Sequence, residues 1–135
     1  MTQFEKMCEG LENEIQASYE TGVTSESAEK LAGEFLFAQF KVSAEIKAVD
    51  LDARMRKAGL KAVKASVYME AATKSEKKPT EAMIEAIINS TPLVNSEQAE
   101  LDKAEVTRDS LERYYSIFRE AHIHFRTICK GNFGS

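Results

Sequence analysis

The sequence predicts an all-α fold of four helices, two of them long. Apolar residues recur at steps of three and four along most of the 135 residues, which is the period of an amphipathic helix. Only six glycines and two prolines interrupt the pattern, and no alternating segment is long enough to predict a strand. The length suits a single domain that spans residues 1–135. We expect this domain to be an elongated protomer of a homo-oligomer.

The first helix is expected over about residues 3–20, in an acidic segment. Its apolar positions are Phe4, Met7, Cys8, Leu11, Ile15 and Tyr19. Gly22 is expected to end this helix, because glycine is the residue best suited to the backbone geometry that follows a helix.

The second helix is expected over about residues 25–73, because no proline interrupts it and Thr24 or Ser25 can cap its start. Its apolar stripe consists of Ala28, Leu31, Phe35, Ala38, Val42, Ile46, Val49, Ala53, Leu60, Val63, Val67 and Ala71. About fifty residues at ~1.5 Å per residue make a rod of about 75 Å. The other helices of a small monomer cannot cover such a rod unless the rod is folded back or shared with another copy. Gly59 marks a place where the helix could bend or break.

Two further helices are expected, over about residues 80–90 and 96–130. Thr80 is the expected cap of the short helix, which must end before Pro92. Asn95 or Ser96 is the expected cap of the last helix, and Gly131 its left-handed end. The stripe of the last helix consists of Leu101, Ala104, Leu111, Tyr115, Phe118, His122, Phe125 and Cys129.

Several classes of protein are excluded by what the sequence lacks. Residues 1–6 lead into acidic sequence without an apolar segment, and no apolar run is long enough to cross a bilayer, so we expect a soluble protein that is not exported by a classical signal. Cys8 and Cys129 show no metal-binding spacing, and we expect them to be reduced, in a cytoplasmic protein. His122 and His124 are two residues apart and point to different sides of a helix, so we expect no metal site and no cofactor. No nucleophile is accompanied by a base, so we do not expect an enzyme.

Basic charge is concentrated in one segment of this acidic chain. Residues 54–78 contain eight basic and two acidic residues, whereas the whole chain has a net charge of −4. Four of the cations and one aromatic residue fall on one narrow sector of the long helix, which we call the basic ladder: Arg54, Lys57, Lys61, Lys64 and Tyr68. Lys74, Lys77 and Lys78 extend the charge into the following loop. Such a ladder can follow a phosphate backbone while the tyrosine stacks on an unpaired base. The alternative is a solvated face that pairs with acidic helices of the same or another protomer.

Aromatic residues on two helices are candidates for an oligomer interface. Phe35, Phe37 and Phe40 crowd one turn of the long helix, so that it is apolar on more than one side there. The candidates on the last helix are Tyr115, Phe118, His122 and Phe125. The alternative is that these residues form the core of the chain itself.

The order of segments resembles that of phage recombination mediators of the UvsY type, over roughly residues 28–130. The matching segments are Leu60-Lys61-Ala62-Val63-Lys64-Ala65 with Tyr68, Lys78-Pro79-Thr80-Glu81, Thr91-Pro92-Leu93-Val94 and Tyr114-Tyr115. The resemblance implies an all-helical, ring-like homo-oligomer that binds single-stranded DNA through lysines and arginines. It also implies loading of a RecA-like recombinase in place of single-strand-binding protein. The ladder falls where the family has its basic helix, whereas the acidic segment Glu9 to Glu20 departs from the family pattern.

The sequence therefore predicts a non-catalytic protein that binds single-stranded DNA during phage or prophage recombination. Its expected partners are single-stranded DNA, further copies of itself, and a RecA-like recombinase or a single-strand-binding protein. The alternative is a helical interaction protein, an adaptor or an inhibitor of a host system, whose acidic helices form the working surface.

Overall fold

The computed structural model describes residues 2–74 and 77–133, and these residues form four helices with no strand among them. The helices are α1 (Gln3–Thr21), α2 (Ser25–Lys74), α3 (Glu81–Ser90) and α4 (Pro92–Phe133). The predicted all-α fold with two long helices is confirmed. None of the helices in these two ranges is long and apolar enough to span a bilayer.

The ends of α1 and the start of α2 are set by side chains next to the helix termini. Thr2 accepts a hydrogen bond from the backbone N–H of Glu5, whose carboxylate accepts from the N–H of Thr2, forming a capping box. Gly22 follows α1 with φ 80°, and its N–H donates to the carbonyl of Ser18. Thr24 Oγ1 accepts from the N–H of Ser27, so Thr24 caps α2 as predicted.

Thr80 caps α3 as predicted, by accepting a hydrogen bond from the N–H of Met83. The predicted start of the last helix near residue 96 is wrong, because α4 already begins at Pro92. Proline suits the first position of a helix, because the backbone N–H that it lacks would have no partner within the helix there. The carbonyl of Thr91 accepts a hydrogen bond from the N–H of Asn95. The predicted left-handed end at Gly131 is also wrong, since α4 continues to Phe133 and Gly22 has the only positive φ among the described residues.

Gly59, where the sequence allowed a bend or a break, does not interrupt α2, which is one helix of 50 residues. Packing of the apolar stripe on both sides of Gly59 outweighs the ~1 kcal/mol by which glycine weakens a helix relative to alanine. Contacts within the chain group into two compact units, and both α2 and α4 contribute residues to each.

The first unit comprises Met1–Ile46 and Ser110–Ser135. Its largest fully buried side chains are Phe35 and Val42 of α2 with Phe118 and Phe125 of α4. The Phe35 ring centroid lies 5.6 Å from that of Phe118 and 5.7 Å from that of Phe125, at distances typical of favourable ring pairs. Cys8 of α1 is also fully buried, and the predicted apolar positions Phe4, Met7, Leu11 and Ile15 are half-buried. The prediction is wrong for Tyr19, which is 72% exposed.

The second unit comprises Lys47–Asp109 and therefore contains the ladder. Its core joins α2 to α4 through Ala53, Leu60, Val94, Leu101 and Ala104, with Val63, Val67 and Ile88 packed against it. The residues of α2 in this core belong to the predicted stripe. On α3, Ile84 is buried, whereas Met83 and Ile87 are exposed.

Candidate nucleic-acid interface

The basic ladder lies along α2 in the second unit, next to the buried stripe. Arg54, Lys57, Lys61 and Tyr68 are exposed and Lys64 is half-buried. Each residue advances about 100° around a helix, so these five positions span a narrow sector beside Leu60. The ladder therefore borders the contact between α2 and α4.

Three lysines of the ladder line a groove between α2 and α4. We call it the lysine groove; it has a volume of about 390 Å³ and is lined by Lys57, Leu60, Lys61, Lys64, Gln98 and Leu101. Leu60 and Leu101 belong to the core beneath it. The groove thus combines an apolar floor with lysine side chains along one side.

The lysines and arginines of this unit have different surroundings. Arg54 lies 3.2 Å from Asp50, and Asp50 also lies 3.5 Å from Arg108 of α4. Arg56 binds Asp52 at 2.9 Å and lies 3.8 Å from Glu100 of α4. The hydrogen bond and charge of Asp52 raise the pKa of Arg56. The two carboxylates Asp50 and Glu100 thus help to link α2 and α4 through arginines.

In contrast, Lys57, Lys61 and Lys64 make no ion pair with any residue in the ranges 2–74 and 77–133. An anion that enters the groove can bind these ammonium groups without first separating them from a carboxylate of the same unit. Within the described residues, this arrangement excludes pairing with acidic helices of the same protomer, which was one part of the alternative interpretation of the ladder as a solvated face.

Gln98 is a groove residue that the sequence reasoning did not include. Its side-chain N–H donates to Asp102 at 3.0 Å, which leaves the amide oxygen on the same side chain to accept from a ligand. The helical period could have identified it, since Gln98 lies three residues before Leu101 and so on nearly the same face of α4.

The remaining predicted contacts lie at and beyond the end of α2. Lys74 binds Glu70 at 2.6 Å, and the hydrogen bond and charge of this partner raise the pKa of Lys74 and lower that of Glu70. Lys77 and Lys78 are exposed in the segment before α3. Lys74 is therefore already engaged in an ion pair, whereas the three lysines of the groove are not.

The predicted interface aromatics fall into two groups. Phe35, Phe118 and Phe125 have no accessible surface, so they form the core of the chain itself and a second copy that docks on this fold cannot contact them. Phe37 and Phe40 are exposed, and Lys41 Nζ lies 5.0 Å from the centroid of the Phe37 ring. The surface these two rings present remains available to a partner.

The other two predicted interface residues, Tyr115 and His122, are half-buried. His122 Nδ1 lies 2.8 Å from the carbonyl oxygen of Ala32, so this imidazole links α4 to α2 as a hydrogen-bonded core residue. The partial burial of Tyr115 and His122 depends on contacts between residues that are distant in sequence. A helical pattern does not specify these contacts.

No cluster of three or more histidine, cysteine, aspartate or glutamate side chains suited to a metal occurs in the part of the chain that the structure describes. No family model, no curated protein and no solved structure matches this chain.

Proposed function

We propose that the protein binds single-stranded nucleic acid, without catalysis, in the lysine groove. The observation that carries the proposal is that three lysines line one groove and none has a carboxylate partner in the described chain. Lysine ammonium groups bind backbone phosphates irrespective of sequence, and the release of counterions from the strand drives this binding.

Geometry favours a single strand over a duplex. Lys57 and Lys64 are seven residues apart, which is about 10 Å along the helix axis, so the ladder can contact several consecutive phosphates. The groove floor at Leu60 and Leu101 and the exposed ring of Tyr68 offer apolar surface beside the cations. Unpaired bases have faces that such surfaces can cover, whereas the base faces in a duplex are already stacked.

The biological role follows from the resemblance to UvsY-type mediators, together with this groove. We place the protein in phage or prophage recombination, as a homo-oligomer that organises single-stranded DNA for a RecA-like recombinase. The all-α fold and the ladder on the second helix agree with that resemblance, and the ladder supports the strand-binding part of this role.

The proposal is tested by replacing Lys57, Lys61 and Lys64 together with alanine. Fluorescence anisotropy with an unstructured oligonucleotide at several salt concentrations gives the slope of log K against log salt. Each lost phosphate contact should reduce the magnitude of that slope by about 0.7, so the triple variant should lose about two units. Tyr68→Ala should instead cost about 1–3 kcal/mol of affinity with little change in slope, because stacking releases no counterions.

A matched control removes three exposed cations from the first unit, Lys6, Arg119 and Arg126, also by alanine substitution. The net charge changes equally, so a general effect of charge would weaken binding equally in both triple variants. The proposal fails if the groove variant and the control bind the oligonucleotide with the same salt slope, or if the wild type has no salt-sensitive affinity.

The second candidate function is that of an interaction protein, and one feature of the second unit favours it. An apolar groove of about 420 Å³ lies between α2 and α3, lined in part by Val67, Ala71 and Ile87. The exposed side chains Met83 and Ile87 lie on α3. A helix or peptide of a protein partner suits such a surface. If the protein is an interaction protein, the wild type should not bind oligonucleotides. The triple alanine variant of the lysine groove should then change protein association instead.

A further inference from the structure

Helix α2 has a second apolar stripe, on the side of the helix away from its own core. In the second unit this stripe, which we call the outer face, consists of Ala48, Leu51, Met55, Ala58, Ala62, Ala65, Met69 and Ala72. The eight residues follow one another in alternating steps of three and four, which is an unbroken heptad repeat. All eight are exposed.

The outer face is too apolar to be an ordinary solvated surface. Leu51 is 60% exposed, Met55 66% and Met69 61%, and no charged residue occupies any of the eight positions in a chain that is 30% charged. The residues of α2 that pack on α4, such as Ala53 and Leu60, occupy other positions of the same heptads. The outer face therefore has no partner among the described helices of this unit.

We propose that the outer face pairs with the outer face of a second copy, so that two α2 helices form a parallel, in-register coiled coil. A strict heptad repeat matches the packing of one helix alongside another, in which each apolar side chain enters a hole formed by four residues of the neighbour. The five alanines allow the two helices to approach closely. The inference specifies the self-association within the proposed function and does not depend on nucleic-acid binding.

Charges beside the outer face select the parallel direction. Lys47, Arg54 and Lys61 lie along one flank, and Asp52 lies on the other, where one of its carboxylate oxygens binds Arg56 of the same helix at 2.9 Å. In a parallel pair, opposite flanks of the two copies meet, which brings Lys47 close to Asp52 of the other copy. Lys47 makes no ion pair within residues 2–74 and 77–133, so it is available for this contact. An antiparallel pair would instead place the basic flank against the basic flank.

The parallel arrangement leaves the lysine groove open in both copies. Leu60 and Leu101 lie towards α4, away from the outer face, so the second copy does not cover the groove floor. The dimer then presents two grooves that one strand can occupy in succession, and a strand held in the first groove has a raised effective concentration at the second.

The first test introduces charge into the outer face through Met55→Glu and Ala62→Glu together. Light scattering should show a mass about two-fold lower than that of the wild type, because two desolvated carboxylates per copy oppose the pairing. The matched control places glutamates at two exposed apolar positions of α4 in the same unit, Leu93→Glu and Val106→Glu. The control should keep the wild-type mass, and circular dichroism should show both variants to be helical.

The second test measures direction and register through a single cysteine, Ala58→Cys. Equivalent residues face each other in a parallel in-register pair, so oxidation should give a covalent dimer. Cys129→Ser removes the half-buried native thiol, and Cys8 is fully buried and does not react. Ala99→Cys, exposed on α4, is the matched control and should stay monomeric on a denaturing gel.

An unchanged mass for the glutamate variant, a monomeric wild type at micromolar concentration, or no disulfide in Ala58→Cys would each overturn the proposal. The triple alanine variant of the lysine groove separates this inference from the proposed function. It should lose oligonucleotide binding while its mass stays that of the wild type, and the mass is measured without nucleic acid.

Discussion

Two phenylalanines of α2, Phe35 and Phe37, have opposite surroundings although only one residue separates them. Two steps of about 100° turn a side chain to the other side of a helix. Phe35 is fully buried between Phe118 and Phe125 of α4, whereas Phe37 is 60% exposed beside Lys41. At the residue scale, the phase of the helix thus assigns one ring to the core and the other to the surface.

We expect Phe35→Ala to lower the free energy of unfolding by about 3–5 kcal/mol, because it removes buried apolar contacts and leaves a cavity. Phe37→Ala is the matched control and should change the free energy of unfolding of the folded protomer far less, because that ring is largely in water. Urea unfolding followed by circular dichroism gives both values. Equal losses in the two variants would contradict this division between core and surface.

A carboxyl pair in the first unit makes stability depend on pH. Desolvation of the Glu14 carboxyl raises its pKa, and a hydrogen bond and charge from Glu34 on α2 raise it further, while Lys30 partly offsets the effect. A raised carboxyl pKa means that the folded state holds the proton more tightly than the unfolded state. The free energy of unfolding of the protein therefore falls as the pH rises from the ordinary carboxyl pKa through the raised one.

We expect Glu14→Gln to raise Tm near pH 7, where the wild type carries the unfavourable ionised form, and to change Tm little near pH 4, where the carboxyl is largely protonated. Glu9→Gln removes the same charge from an exposed position of the same helix and is the control. Thermal unfolding at both pH values measures the effect. A larger gain in Tm near pH 4 than near pH 7 would show that the predicted direction of the pH dependence is wrong.

At the element scale, the turn between α1 and α2 depends on one backbone conformation. Gly22 has φ 80°, in a region that side chains disfavour, and its N–H closes the last turn of α1. Thr24 then starts α2 through its bond to the N–H of Ser27. The chain therefore changes direction over a few residues because glycine and threonine satisfy the two helix ends.

Gly22→Ala should destabilise the protein by about 1 kcal/mol, since alanine is strained at this φ. Gly10→Ala is a matched substitution inside α1, where an added Cβ meets no atom within 4 Å. That variant should be more stable than the wild type by about 0.5–1 kcal/mol. Chemical unfolding of both variants compares the two positions, and a stabilised Gly22→Ala would contradict the role given to its φ.

At the scale of the whole molecule, the basic side chains have two kinds of surroundings. Some form ion pairs that connect helices, and others face the solvent. Arg56 and Arg108 connect α2 to α4 through carboxylates, while Lys57, Lys61 and Lys64 stay without a partner in the described chain. An acidic protein thereby keeps a local basic surface. Electrostatic attraction of a polyanion to such a surface acts locally, because salt screens charges over about 10 Å.

We expect neither zinc nor a chelator to alter thermal stability. A structural zinc site needs about four ligands, and the described residues contain no cluster of three or more suitable side chains. His122 is engaged with the carbonyl of Ala32. Differential scanning calorimetry with each additive provides the measurement. A chelator-induced shift of several degrees would show that a ligand set had been overlooked.

The sequence by itself determined the four helices, the caps at Thr24 and Thr80, the end of α1 at Gly22 and the buried stripes of the long helices. All of these depend on residues within a few positions of one another, and helix period and capping are local effects. The start of α4 at Pro92 was equally local, and an incorrect choice among neighbouring caps placed it four residues too late.

Only the tertiary structure decided which helix covers each apolar stripe, which cations pair between α2 and α4, and that Gln98 joins Lys57 in one groove. These facts depend on residues that are distant in sequence and meet only when α2 packs on α4, such as Asp50 with Arg108 and Phe35 with Phe118. A single helix specifies its own faces by its period, but the helix that covers each face is selected by the burial of apolar surface across the whole chain.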